Sequence, residues 1–142
     1  MKLLQHIKYF LYIATNWGLR IALFTLRQEW NGEKKYGINS TSFHNLSRFK
    51  ITGRQLTHAT EYMPVNYFTI EHLFNHLPKQ AFAGKFLDIG CGKGRAMCVA
   101  AAYGFQHVTG IDFAKEMVDA AEKNLLVTKQ RYPSLSSHLA WE

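Results

Sequence analysis

The chain has 142 residues, 47% of them hydrophobic, with 17 Lys and Arg against 10 Asp and Glu and a formal charge of +7. That supports one packed domain with at most an appendage, and the basic excess favours an anionic partner, nucleic acid or a lipid surface, without specifying one. Cys91 and Cys98, the two cysteines, form no disulfide or metal-ligand pattern, and no metal site is read from the seven histidines, so a reducing, cytoplasmic compartment is expected.

Residues 1 to about 30 make a strongly apolar helical stretch, dense in large side chains from Tyr9 to Ala14 and from Leu19 to Leu26. It lacks the short apolar core and small-residue cleavage site of a signal peptide. A membrane span over residues 9–26 would bury Asn16 and Arg20 at its middle, where Arg is costly. Two readings stand. One is an amphipathic helix packed on the domain or on a partner. The other lies on a membrane surface with Lys2, Lys8, Arg20 and Arg27 near the headgroups.

Residues 31–62 sustain no period and read as a long polar loop, whose Arg48, Lys50 and Arg54 face either solvent or an acidic substrate. A helix is predicted over 66–77, where Ile70, Leu73, Phe74 and Leu77 share one face and Pro78 stops the run. Phe86, Leu87 and Ile89 then mark a short buried strand, followed by a glycine turn and a small-residue helix that runs to about Tyr103 and stops at Gly104. Residues 106–112 alternate as a second strand ending in Asp112. A helix over 114–129 places Met117, Ala121 and Leu125 four apart, and residues 137–141 begin a third strand. The division expected is an N-terminal helix with a basic loop or lid over 1–61, and an α/β core over 62–142.

The chemistry concentrates in Asp88-Ile89-Gly90-Cys91-Gly92-Lys93-Gly94. Glycines let the backbone turn sharply and approach a ligand, and the following helix aims its free N–H groups into the same turn. The dinucleotide fingerprint needs Gly or Ala where Arg95 stands, and no phosphate-binding P-loop can be written here. An acid two places before the first glycine suits a ligand with an ammonium group and repels a pyrophosphate. Asp112, at the end of the second strand, is placed to accept bonds from ribose hydroxyls, and Phe113 to lie against an adenine. Cys91 reads as a small filler, with no base beside it in the sequence.

Residues 86–94 together with 108–112 resemble motifs I and II of the class I S-adenosylmethionine-dependent methyltransferases. The resemblance covers roughly residues 62 to 130. It implies a Rossmann-like parallel sheet with flanking helices, and S-adenosylmethionine as cofactor. It also implies a cofactor site of Asp88, Ile89, Gly90, Cys91, Gly92, Gly94, Asp112 and Phe113, with Asp88 and the Gly90–Gly92 backbone at the methionine end, Asp112 at the ribose and Phe113 at the adenine. In such enzymes the segment ahead of motif I often closes over the cofactor; Glu61, Tyr62, Met63, Pro64 and Tyr67 are the candidates here. The acceptor and any catalytic residue are not legible. A non-catalytic cofactor-binding or docking fragment, and an enzyme using a nicotinamide dinucleotide, are the alternatives.

The resemblance implies a sheet of about seven strands, of which the chain supplies two or three. Right-handed crossovers would put both connecting helices on one face and leave the other bare, with the first strand unpaired on one side. Leu87, Ile89 and Val108 are expected to lack cover. A fragment of a longer protein, a partner chain completing the sheet, and the N-terminal helix folding back over the bare face are the three explanations.

Overall fold

The computed structural model describes residues 2–41 and 62–141. Two helices open the chain, α1 (Lys2–Trp17) and α2 (Leu19–Tyr36). The single apolar stretch expected from the sequence is therefore broken, and Gly18 is the reason: its backbone sits at φ 93°, ψ 157°, open to glycine and closed to other residues. Helix α2 also runs six residues past the expected start of the loop. Its buried positions Ala22, Glu29, Gly32 and Tyr36 continue one face across Asn31 and Gly32, so tertiary packing overrides their weak helix propensity. Gly37, left-handed at φ 69°, ends it by donating its N–H to the Glu33 carbonyl at 2.8 Å. The expected basic loop at Arg48, Lys50 and Arg54 lies outside the described residues, as does Glu61.

Helix α3 (Tyr67–Asn75) begins where Asn66 accepts a hydrogen bond from the Phe68 N–H at 2.8 Å. Of its four predicted core positions, Ile70 and Phe74 are buried and Leu77 packs at the core's edge, whereas Leu73 faces outward. A short 3-10 helix (Lys79–Ala83) leads into β1 (Lys85–Ile89), α4 (Arg95–Tyr103), β2 (His107–Asp112), α5 (Lys115–Arg131) and β3 (Ser136–Trp141). The strands form one parallel sheet in the order β1-β2-β3, with Phe86 opposite Val108, Asp88 opposite Gly110 and Asp112 opposite Trp141. This is the Rossmann-like α/β arrangement expected, with β1 at an edge.

Both crossover helices pack on one face of the sheet. Met97, Cys98, Val99 and Ala100 of α4 and Ala121 and Leu125 of α5 are fully buried there. Phe74, Phe86 and Phe105 meet at 5.5–5.9 Å between ring centroids and join α3 to the same core. Among the described residues nothing covers the other face: Leu87 is 55% and Ile89 79% exposed. Val108 corrects the expectation, since it pairs with Phe86 on the covered face and is buried. The fold-back reading of the N-terminal helices is also corrected, because α2 packs against α3 and α4 and leaves Leu87 and Ile89 open. Among the described residues, no helix is long and apolar enough to cross a membrane.

Candidate cofactor site

The turn after β1 is built on backbone bonds to the neighbouring strand. The N–H groups of Gly90 and Cys91 both donate to the Ile111 carbonyl, at 2.8 and 3.0 Å, which pins the start of the turn to the end of β2. Asp112, the next residue, holds its middle: one carboxylate oxygen accepts from the Gly92 N–H at 2.8 Å, and the other from the Ala114 N–H at 2.9 Å. The second of these is an Asx-type turn that leads the chain from β2 into α5. Glycine is required at position 92, where φ is 51° and a Cβ would come within 2.3 Å of the Tyr62 ring.

A cavity of about 440 Å³ opens over this turn, a size suited to a small-molecule ligand. Asp88, Gly90, Cys91 and Gly92 line it from the first strand and turn, and Asp112, Phe113, Ala114 and Met117 from the second strand and α5. The segment Tyr62–Val65 lines it from across the turn, and Arg95 and Ala96 contribute from the start of α4. Six of the eight residues singled out in the sequence thus share one cavity. Ile89 and Gly94 are not among its lining residues. Strand alternation turns Ile89 to the uncovered face, opposite in direction to Asp88. Of the covering segment, Tyr62, Met63 and Pro64 line the cavity, while Tyr67 is buried beneath Arg95, whose guanidinium carbon lies 4.1 Å from its ring centroid.

Electrostatics distinguish the two acids. Asp112 spends both oxygens on backbone N–H groups. Asp88 has its pKa raised above the usual carboxylate range, first by burial and then by the neighbouring Asp112 charge. Burial pushes the Cys91 thiol up to about 12, with both acids adding to the shift, so it is no thiolate at neutral pH and its role as filler fits its surroundings. Tyr62 is likewise raised by burial, and its hydroxyl donates to the Ser40 carbonyl at 3.1 Å.

Sequence reasoning passed over Arg95, using it only to exclude a dinucleotide. The signal was present: one cation inside Gly94-Arg95-Ala96-Met97-Cys98, heading a buried apolar helix, demands a buried partner. That partner is Glu29 of α2, joined through both guanidinium arms at 3.0 and 2.7 Å. His72 of α3 and His76 at its C-cap, with ring centroids 4.3 Å apart, are another pair that the sequence reading does not single out. Among the described residues they gather no third His, Cys, Asp or Glu able to complete a metal site.

Against known proteins, a family described as methyltransferase domain matches residues 86–133, from β1 to just past α5. No curated protein is matched. Among solved structures, the S-adenosylmethionine-bound CalS10, an amino pentose methyltransferase of Micromonospora echinaspora from calicheamicin biosynthesis, is similar at 20% identity with a TM-score of 0.25. The similarity covers 57% of this chain and 37% of that one, so the chain spans well under two thirds of its neighbour. The family match takes in the glycine turn, Asp88 and Asp112.

Proposed function

We propose that the chain binds S-adenosylmethionine in the cavity over the β1 turn and serves transfer of its methyl group to a nucleophilic N, O or C atom of an acceptor. The observation that carries this is the placement of Asp88 and Asp112, from adjoining strands, in the lining of one cavity. A buried carboxylate raised by a second one is relieved by a cation, and the sulfonium and ammonium of this cofactor are cations. Arg95 also lines the cavity, but Glu29 neutralises it through two short bonds. Asp88 and the Gly90–Gly92 backbone are assigned to the methionine end, Asp112 to the ribose and Phe113 to the adenine. When bound, the cofactor supplies the electrophilic methyl group. The chain's own contribution is to bind and orient it, which is the main requirement of such a transfer. Calorimetry with S-adenosylhomocysteine and with NAD tests the reading: binding of the first alone is expected, and tight NAD binding without the first would overturn it. Binding without turnover across acceptor panels would favour a non-catalytic cofactor-binding fragment.

The reading extends to the surface. Residues 1–28 carry Lys2, Lys8, Arg20 and Arg27 and no acid, and α1 and α2 expose Tyr12, Trp17, Leu23, Phe24 and Trp30. A basic stretch with no acid before Glu29, together with these exposed aromatics, suits peripheral contact with an anionic lipid surface. Vesicles with anionic lipid are expected to blue-shift the tryptophan emission of Trp141→Phe protein, in a salt-sensitive way. No response, or an equal one with neutral lipid, would remove this part. The free edge of β1 and the exposed Leu87 and Ile89 suit pairing and cover by further strands, of which a partner chain is one source. Two free, buried cysteines fit a cytoplasmic setting.

A further inference from the structure

Arg95 follows the last glycine of the turn and opens α4, yet its side chain is only 2% exposed. Its donors are all engaged. Nε donates to Ser40 Oγ at 2.7 Å. One terminal nitrogen donates to Glu29 and, at 2.8 Å, to the Val65 carbonyl; the other donates to Glu29 and, at 2.9 Å, to Thr41 Oγ1. Its plane lies over Tyr67, whose hydroxyl donates to Glu33 at 2.8 Å. Charge inside a protein is costly unless paired and fully bonded, and often adds no stability even then. A group so expensive to bury is explained more simply by what it holds in place.

What it holds is the far side of the cavity. Residues 62–66 have no regular secondary structure, so no ladder or helix fixes them. Besides the Asn66 cap of α3 and the Lys93 contacts of Tyr62, whose ring has the Lys93 amine 5.2 Å from its centroid, they are held by the Val65 carbonyl to Arg95, the Tyr62 hydroxyl to the Ser40 carbonyl, and Asn66 to Glu29 at 3.4 Å. Each of the latter ends on Arg95 or on one of its own partners. We infer that Arg95, with Glu29 as its counter-charge, is a positioning residue that clamps the Tyr62–Val65 wall over the cofactor turn, so that α2 takes part in building the cavity. The inference rests on the cofactor reading above. It needs an arginine, because lysine has a single point charge and cannot serve Glu29, Val65, Thr41 and Ser40 together.

The test is Arg95→Lys in the full chain, at a temperature where circular dichroism shows both proteins folded. Hydrogen exchange should accelerate at the amides of Tyr62, Met63, Val65 and Asn66 and stay unchanged in β2 and the first turn of α5. Affinity for S-adenosylhomocysteine should fall about tenfold or more, although Asp88, Gly90 and Asp112 are untouched. Uniformly faster exchange, or affinity within twofold of the parent, would mean that Arg95 is structural only. If the variant does not fold, the parent protein decides: saturating S-adenosylhomocysteine should slow exchange in 62–66, and no slowing there overturns the clamp. A parent that binds no S-adenosylhomocysteine at all removes the cofactor reading itself, and this inference with it.

Discussion

Asp112 offers the sharpest test, because its carboxylate is both a structural tie and a proposed ligand group. Replacement by Ala leaves the N–H groups of Gly92 and Ala114, both buried, without their acceptors. Each such loss costs about 1–3 kcal/mol, and relief of the repulsion between Asp112 and Asp88 returns part of it, so about 2–4 kcal/mol of stability should go. Asn keeps one acceptor oxygen but presents an amide donor to the other N–H, and should cost about 1–2 kcal/mol. At about 2–4 °C per kcal/mol, the Ala variant should melt about 5–15 °C lower, a large fraction of ordinary domain stability. Binding is read separately. Ligand at a hundred times its dissociation constant stabilises a protein by about 2.7 kcal/mol, so melts with and without S-adenosylhomocysteine expose it in each variant. The parent should gain stability from ligand and Asp112→Asn should lose most of that gain. If Asp112→Asn keeps the full gain, the acid ties the turn and does not touch the ligand. If Asp112→Ala is as stable as the parent, the two bonds do not hold the turn and the account of the site is wrong.

Three further outcomes are expected. Gly32→Ala should gain about 1 kcal/mol of helix propensity, yet its Cβ would lie 2.2 Å from the ring of the buried Tyr67; overpacking at about 1–3 kcal/mol, plus bonds lost if the ring moves, should win. Chemical denaturation checks this, and a variant more stable than the parent would show that α2 does not seat against α3 as described. Asp88 has a raised folded pKa, so the folded state holds its proton more tightly and stability should fall as pH rises from the unfolded value through the folded one. Asp88→Asn should therefore be more stable than the ligand-free parent at neutral pH, with the gap closing in acid, and bind S-adenosylmethionine more weakly; melts over a pH series would show an unchanged gap if the shift is absent. Burial raises Cys91 to about 12 and Cys98 to about 11, so neither should react with a thiol reagent at pH 8 until denaturant is added, and rapid labelling of native protein would contradict the packing around α4.

What was legible in the sequence was local. The alternation around Phe86 and Val108, the glycine turn and the spacing of Met117, Ala121 and Leu125 each depend on a few neighbouring residues, and the strands and helices built on them stand where they were expected. That the two acids come to line one cavity is legible because both stand near strand ends. What was missed depends on distant partners. Arg95 and Glu29 are 66 residues apart in sequence, and nothing in either neighbourhood names the other. Helix α2 was cut short at Asn31-Gly32 because those residues are poor helix formers, whereas the close approach of Tyr67 rewards a residue with no side chain there. Ile89 was counted with the site because it sits between Asp88 and Gly90, and alternation sends it to the other face.

The turn also shows that one glycine pattern answers several demands. A Cβ on Gly90 would meet nothing within 4 Å, so its left-handed backbone, at φ 78°, is the constraint there and the space beside it stays open toward the cavity. At Gly92 the neighbour is the Tyr62 ring, and at Gly94 it is Ala121 of α5 at 3.0 Å. Room for the backbone to be approached from the cavity is therefore found at the first position. The second makes room for the wall that Arg95 clamps, and the third for the helix that follows Asp112. Open cavity, covering segment and supporting helix each border one residue of the same short turn, so a side chain added at any of the three should disturb a different part of the site.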